Sequence, residues 1–221
     1  MKKALIIGAS GGIGNAVQSQ LQEQGWHVTG LSRSTNGFDL RQPEQAAKHL
    51  KQLRGPFDLV FVATGILAAE NGHPEKSLAA ISPDEMARVF AVNAIGPAIV
   101  LQALPHLLDR QRKAVVGVLS ARVGSIGDNQ IGGWHSYRAS KAALNQLIRG
   151  AAIELQRTHP RVACVALHPG TVRTSFTQAY VSRHPTVSAQ DAAMNVLKVM
   201  NDLSPDQSGQ FFDAHGQEVP W

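Results

Sequence analysis

Ala4-Leu5-Ile6-Ile7-Gly8-Ala9-Ser10-Gly11-Gly12-Ile13-Gly14 is the stretch that decides the architecture of this chain. A short apolar run ends in a glycine-rich turn. Ile13, Val17 and Leu21 then recur every four residues, which is the period of a helix face. Strand, glycine turn and helix in that order form the setting in which a glycine-rich run binds a dinucleotide instead of serving as a flexible turn. The glycines permit a tight turn and close backbone approach to a pyrophosphate, while the first helical turn offers N–H groups and the positive end of its dipole. Gly8, Ser10, Gly12, Ile13 and Gly14 are therefore candidate cofactor contacts.

The same alternation continues down the chain. Apolar runs at 4–9, 27–32, 59–63, 114–120 and 161–168, and a weaker one at 210–213, suit buried strands of a parallel sheet. Amphipathic stretches lie between them, the longest carrying Ala142, Leu144, Leu147, Ile148, Ala151 and Leu155. Ser82 and Pro83, with Glu85 close behind, signal a helix start. The expectation is a single α/β domain over 1–221, a Rossmann-type doubly wound parallel sheet of six or seven strands with helices on both faces. The polar, glycine-containing segments 66–78 and 121–135 are expected loops. In such a sheet they emerge beyond the strand carboxyl ends, where ligands bind.

Composition narrows the class of function. With 43% hydrophobic and 17% charged residues, the chain has material for a sizeable core and lacks the signature of disorder. Its formal charge is +5, yet the lysines and arginines are scattered, and the densest group, Arg110, Arg112 and Lys113, sits at a helix end where cations complement the dipole. No nucleic-acid partner is expected from that distribution. The single Cys164 lies in an apolar run and reads as a buried small side chain, while the nine histidines show no metal-ligand spacing, so no metal is expected. The apolar stretch 94–108 is interrupted by Pro97, Gln102 and Pro105, and the run after Lys2 and Lys3 is too short for a secretory signal. A cytoplasmic location with no membrane contact is the expectation.

At the end of the second run, where NAD enzymes place an acid for the ribose 2′-hydroxyl, this chain has Leu31-Ser32-Arg33-Ser34. Arg33 can grip a 2′-phosphate with its fork, and a neighbouring serine can assist, so NADP(H) is the expected cofactor. The alternative is a solvated loop arginine.

Tyr137 and Lys141, at i and i+4, share one face of the long amphipathic stretch. Hydride transfer to a carbonyl leaves negative charge on oxygen, which a phenol can quench by giving up its proton. A nearby ammonium is expected to lower the phenol pKa by favouring the phenolate.

In the order Gly8-x-x-x-Gly12-x-Gly14, then Ala63-Thr64-Gly65, Asn93, Ser120, Tyr137-x-x-x-Lys141 and Pro169-Gly170-Thr171-Val172-Arg173-Thr174, the chain resembles the short-chain dehydrogenase/reductase family over nearly its whole length. Ser120-Ala121-Arg122-Val123-Gly124-Ser125, the segment from Gly132 to Lys141 and the closing Val219-Pro220-Trp221 resemble its C-factor-like carbonyl reductase subgroup. The resemblance implies a small carbonyl or alcohol substrate and a homodimer or homotetramer. It also implies that Lys141 bonds the nicotinamide ribose, that Asn93 supports a water relay behind Lys141, and that Asp39 stands on the adenine side. It further implies that Ala63, Thr64 and Gly65 border the cofactor and that Pro169, Val172 and Thr174 hold the carboxamide. The family's substrate-stabilising serine aligns with Ala121, so Ser120 takes that role only if the strand end is shifted by one residue, and Ser125 is a further candidate. A cofactor-binding signalling or regulatory protein with little turnover is the alternative reading. The loop 172–185 carries no recognisable specificity code.

Overall fold

The computed structural model describes residues 1–68, 73–174 and 186–221. Six strands form one parallel sheet: β1 (Lys3–Ile7), β2 (His27–Leu31), β3 (Leu59–Val62), β4 (Ala114–Leu119), β5 (Val162–His168) and β6 (Phe211–Asp213). Their spatial order is β2-β1-β3-β4-β5-β6. The apolar runs read from the sequence thus coincide with the strands to within one or two residues, and the doubly wound sheet has the lower of the two strand counts expected.

Helices cover both faces. Side chains of successive strand residues point to opposite faces. Leu5 and Ile7 accordingly pack with α3 (Pro43–Gln52), α5 (Gly96–Leu107) and α6 (His135–Thr158), while Ala4 and Ile6 pack with α1 (Gly12–Glu23) and α7 (Ala189–Asp202). Gly117 on β4 lets α7 approach, since a Cβ there would lie 2.7 Å from Met200 Sδ. The connections leaving β1 and β2 therefore run over opposite faces, and the chain reverses direction across the sheet between β1 and β3. That reversal opens a crevice beyond the carboxyl ends of these strands.

Two further helical pieces matter for the site: α2 (Arg33–Asn36), one short turn after β2, and α4 (Pro83–Phe90), capped by Ser82 Oγ, which accepts from Glu85 N. Between α4 and α5 the backbone widens into a π-turn at Ala91–Ile95, so the helical run continues from Pro83 to Leu107 through both prolines that interrupt the apolar stretch. Pro97 sits in the first turn of α5, where its missing N–H falls beside the widened turn, and Pro105 falls in the last. This run is long and apolar enough to cross a membrane, but Val100, Leu101, Leu104 and Leu107 are buried in the core beneath the sheet.

Candidate active site

The glycine turn is folded as its sequence requires. Gly8 has φ +85°, Gly8 N and Ala9 N donate to Leu31 O at 2.8 and 3.1 Å, and α1 begins with no side-chain cap and no acid in its first turn. A Cβ at Gly14 would strike the Gly8 carbonyl, and one at Gly8 would come within 2.9 Å of Ala63 O. The turn after β1 and the Ala63-Thr64-Gly65 turn after β3 are thus pressed together across the crevice. Thr64 Oγ1 is buried there with no partner among the described residues. From the other side, Thr174 closes in: a Cβ at Gly12 would lie 2.7 Å from Thr174 Cγ2. Pro169 and Val172 are buried along the same return loop, and Val172 bridges to Val187. Bare helix-end N–H groups, a cradle that any Cβ would fill and an orphaned hydroxyl fit the diphosphate of a dinucleotide.

Arg33 is exposed at the start of α2, beside an open groove of about 480 Å³ lined also by Ser10, Ser34, Asp39 and Arg41. Ser32 caps the turn, accepting from Thr35 N at 3.2 Å. Asp39 does not present a free carboxylate. Arg41 holds it through Nε and Nη2 at 3.0 and 2.8 Å and through its backbone N–H at 2.9 Å, and these bonds keep the carboxyl below the usual range. Arg41 was not singled out from the sequence. The signal was its place two residues after Asp39, the spacing of an Asx-type turn that brings side chain and carboxylate together.

On the other side of the crevice Tyr137 and Lys141 are both buried, 7% and 3% exposed, on the α6 face turned to the sheet. Lys141 Nζ donates to Leu119 O at 2.9 Å, at the end of β4. Gly65 lies beside both Lys141 Nζ and Asn93 Oδ1, which a Cβ there would meet at 3.5 and 3.4 Å. Asn93, fully buried in the π-turn, accepts from Ile66 N at 2.8 Å and donates to Ile66 O at 2.8 Å and to Ser140 Oγ at 3.1 Å. Ser140 Oγ in turn donates to Tyr137 O. Asn93 therefore ties the β3 loop to α6, and the π-turn is what aims it there.

The electrostatics differ from the sequence expectation in one respect. Burial raises the Tyr137 phenol well above its ordinary value, and burial also pulls the Lys141 ammonium down to about 8. Desolvation outweighs the attraction of the ammonium for the phenolate, because both groups lie out of water.

Ser120 is buried at the β4 terminus, and its Oγ donates its only proton to Asn145 Oδ1 at 2.6 Å. Asn145 is eight residues beyond Tyr137, roughly 12 Å along the helix at 1.5 Å per residue. This geometry favours the unshifted register, with Ala121 at the family serine's position. Ser125 is also buried. It accepts from Asp128 N at 3.1 Å, and its own proton has no acceptor among the described residues.

Trp134, Gly133 and Gly132 all have positive φ, and the Trp134 ring stands edge-on to Tyr137 with centroids 6.2 Å apart. Trp134 thus walls the site. Arg138 draws the two ends of loop 121–135 together, donating to Gly133 O and Val123 O. Cys164 is fully buried and its thiol is pushed up to about 12, in keeping with a packing role. His168, at the end of β5, is pulled down to about 4 by burial and by Arg122, so it is neutral at physiological pH. No group of three or more metal-ligating side chains occurs among the described residues. Most of loop 172–185 and residues 69–72 of loop 66–78 lie outside the described residues.

Residues 35–185 match the family model for short chain dehydrogenase. Over its whole length the chain is 28% identical to the 1-hydroxy-2-glutathionyl-2-methyl-3-butene dehydrogenase of Rhodococcus sp. (strain AD45), covering 100% of both chains. It is 41% identical over 138 residues to the C-signal protein of Myxococcus xanthus, covering 62% of this chain and 79% of that one. Among solved structures, a carbonyl reductase from Pseudomonas aeruginosa PAO1 in complex with NADP superposes over 100% of both chains, with a TM-score of 0.79 and 26% identity.

Proposed function

Because this chain belongs to the short-chain dehydrogenase family, we propose that it is an NADP(H)-dependent oxidoreductase that reduces a small aldehyde or ketone, or oxidises the corresponding alcohol. The observation that carries this reading is the buried Tyr137–Lys141 pair, anchored through Lys141 Nζ to Leu119 O and facing the glycine cradle across Gly65. Gly8, Ser10, Gly12, Ile13 and Gly14 would hold the diphosphate, with Thr64 Oγ1 finding its partner there. Arg33 would pair with the 2′-phosphate while Arg41 keeps the Asp39 charge from opposing it, and Ala63, Gly65, Pro169, Val172 and Thr174 would border the nicotinamide end.

When bound, NADPH supplies the hydride that turns a carbonyl carbon into an alcohol carbon. Tyr137 Oη holds its proton firmly because it is buried, and gives it to the substrate oxygen as negative charge develops there. The phenolate left behind gains the Lys141 ammonium as its neighbour on the same helix face. Asn93 keeps α6 and the Ile66 backbone in register around that ammonium. Ser125, with a proton uncommitted among the described residues, is the hydroxyl available to steady the substrate oxygen, whereas Ser120 is committed to Asn145. A cytoplasmic, homo-oligomeric protein of one domain, acting on a small molecule without nucleic acid or membrane, completes the proposal.

The test is NADPH consumption with a panel of aldehydes and ketones, run in parallel with NADH. Turnover with NADPH supports the reading. Tight NADPH binding without turnover favours the second reading, a signalling or regulatory cofactor binder, which the C-signal relative and Ala121 both favour.

A further inference from the structure

We infer that Glu75 is a positioning residue for Tyr137, a helix cap supplied from another loop; this rests on the role given to Tyr137 above. Helix α6 starts without local help. Its N-cap is Trp134 in the left-handed region at φ +51°, it has no side-chain cap of its own, and no acid lies in its first turn. Leading N–H groups of a buried helix start need acceptors, and a negative charge there is favoured by the dipole.

Glu75, 61 residues earlier, meets that need. Its Oε2 accepts from Ser136 N at 3.2 Å, its Oε1 accepts from Ser136 Oγ, and its backbone oxygen accepts from Trp134 N at 2.5 Å. Burial works to raise the carboxyl, but the bonds from Ser136 Oγ, from the backbone N–H groups of Glu75 and Ser136, and the charge of His135 together hold it below its ordinary range. Backbone and side chain of one residue therefore grip Trp134 and Ser136, on either side of His135, and Ser136 immediately precedes Tyr137.

The consequence is mechanical. Gly132 and Gly133 accept positive φ freely, but Trp134 carries a side chain in a conformation that L-residues resist. Without the Glu75 bonds that residue gains by relaxing toward a commoner conformation, which would turn the Trp134 ring away from Tyr137 and loosen the first turn of α6. The same bonds hold Glu75 and Lys76 against the 133–136 turn, where a Cβ at Gly133 would meet Glu75 O at 3.5 Å. The Gly8–Gly14 cradle lies on the far side of the crevice and shares no bond with Glu75, so cofactor affinity is insulated from the change.

Glu75→Ala and Glu75→Gln, compared with the parent enzyme, test this. The measurements are kcat, NADPH Kd and amide hydrogen exchange over 134–138. Glu75→Ala should lower kcat at least about tenfold, because small misplacements of a reacting group are costly, while NADPH Kd stays within about threefold. Exchange should accelerate over 134–138 and remain unchanged in β4. Glu75→Gln keeps one acceptor oxygen and should recover part of the rate. A kcat within twofold of the parent, unchanged exchange, or exchange that rises through the whole chain overturns the proposal. If the parent turns over no carbonyl, the oxidoreductase reading falls on that result, and the clamp is judged by whether accelerated exchange is confined to 134–138.

Discussion

One proton on one hydroxyl separates the roles of the residues around the site. Tyr137 keeps its proton because burial raises its pKa, and on our reading it is the donor; Tyr137→Phe removes that proton and almost nothing else. Reductase kcat should fall by about a hundredfold or more, the usual contribution of a positioned acid, with NADPH affinity within a few-fold. Retention of more than about a tenth of the activity in steady-state assays would refute the assignment. Ser120 has given its proton to Asn145, so Ser120→Ala should leave kcat within about threefold and cost about 1 kcal/mol of stability through the lost bond. Ala121→Ser places a hydroxyl where the family carries one and should raise kcat. Were Ser120→Ala instead to cost a hundredfold, the register seen at the end of β4 would not be the one used in turnover.

At the scale of elements, our reading assigns cofactor choice to the connection between β2 and α3. This segment folds as a capped turn at Ser32–Asn36 followed by the Asp39–Arg41 pair, so two arginines border one groove and the single carboxylate there is already engaged. NADPH should therefore bind more tightly than NADH. Arg33→Asp exchanges an attraction for a repulsion and should narrow or reverse the preference, measured by fluorescence titration with both cofactors. Equal affinities in the parent protein would remove Arg33 from the 2′-phosphate site. The π-turn is the second such element: it spares Pro97 an unmet hydrogen bond and brings Asn93 round to both Ile66 and Ser140.

Across the whole molecule, the buried Lys141 is a stability cost that the two hydrophobic layers carry. Its folded pKa of about 8 lies below the ordinary lysine value of 10.5, so between those pH values the unfolded chain binds more protons and stability rises with pH. A shift of that size corresponds to about 3 kcal/mol, comparable to one or two fully buried aliphatic side chains. Lys141→Met should remove this dependence. Denaturant unfolding of the parent should gain stability relative to the variant from pH 8 to pH 10, whereas the variant's activity should be lost. Parallel curves for the two proteins would mean that the ammonium is solvated.

The strands, the glycine turn and the Tyr137–Lys141 spacing were legible because each is local: a period of two or of four, or a turn that only glycine can make, is written in neighbouring residues. So the sequence by itself determined the doubly wound sheet, the tight glycine turn after its first strand and the pair on one face of α6. It could not determine where Ser120 points, since a shift of one residue at a strand end reverses the face, and only packing against Asn145 chooses. Nor could it show that Asp39 is engaged by Arg41, that burial outweighs the ammonium at Tyr137, or that Glu75 caps a helix 61 residues away. Those outcomes depend on which distant groups share a volume from which water is excluded, and only the tertiary structure decides that.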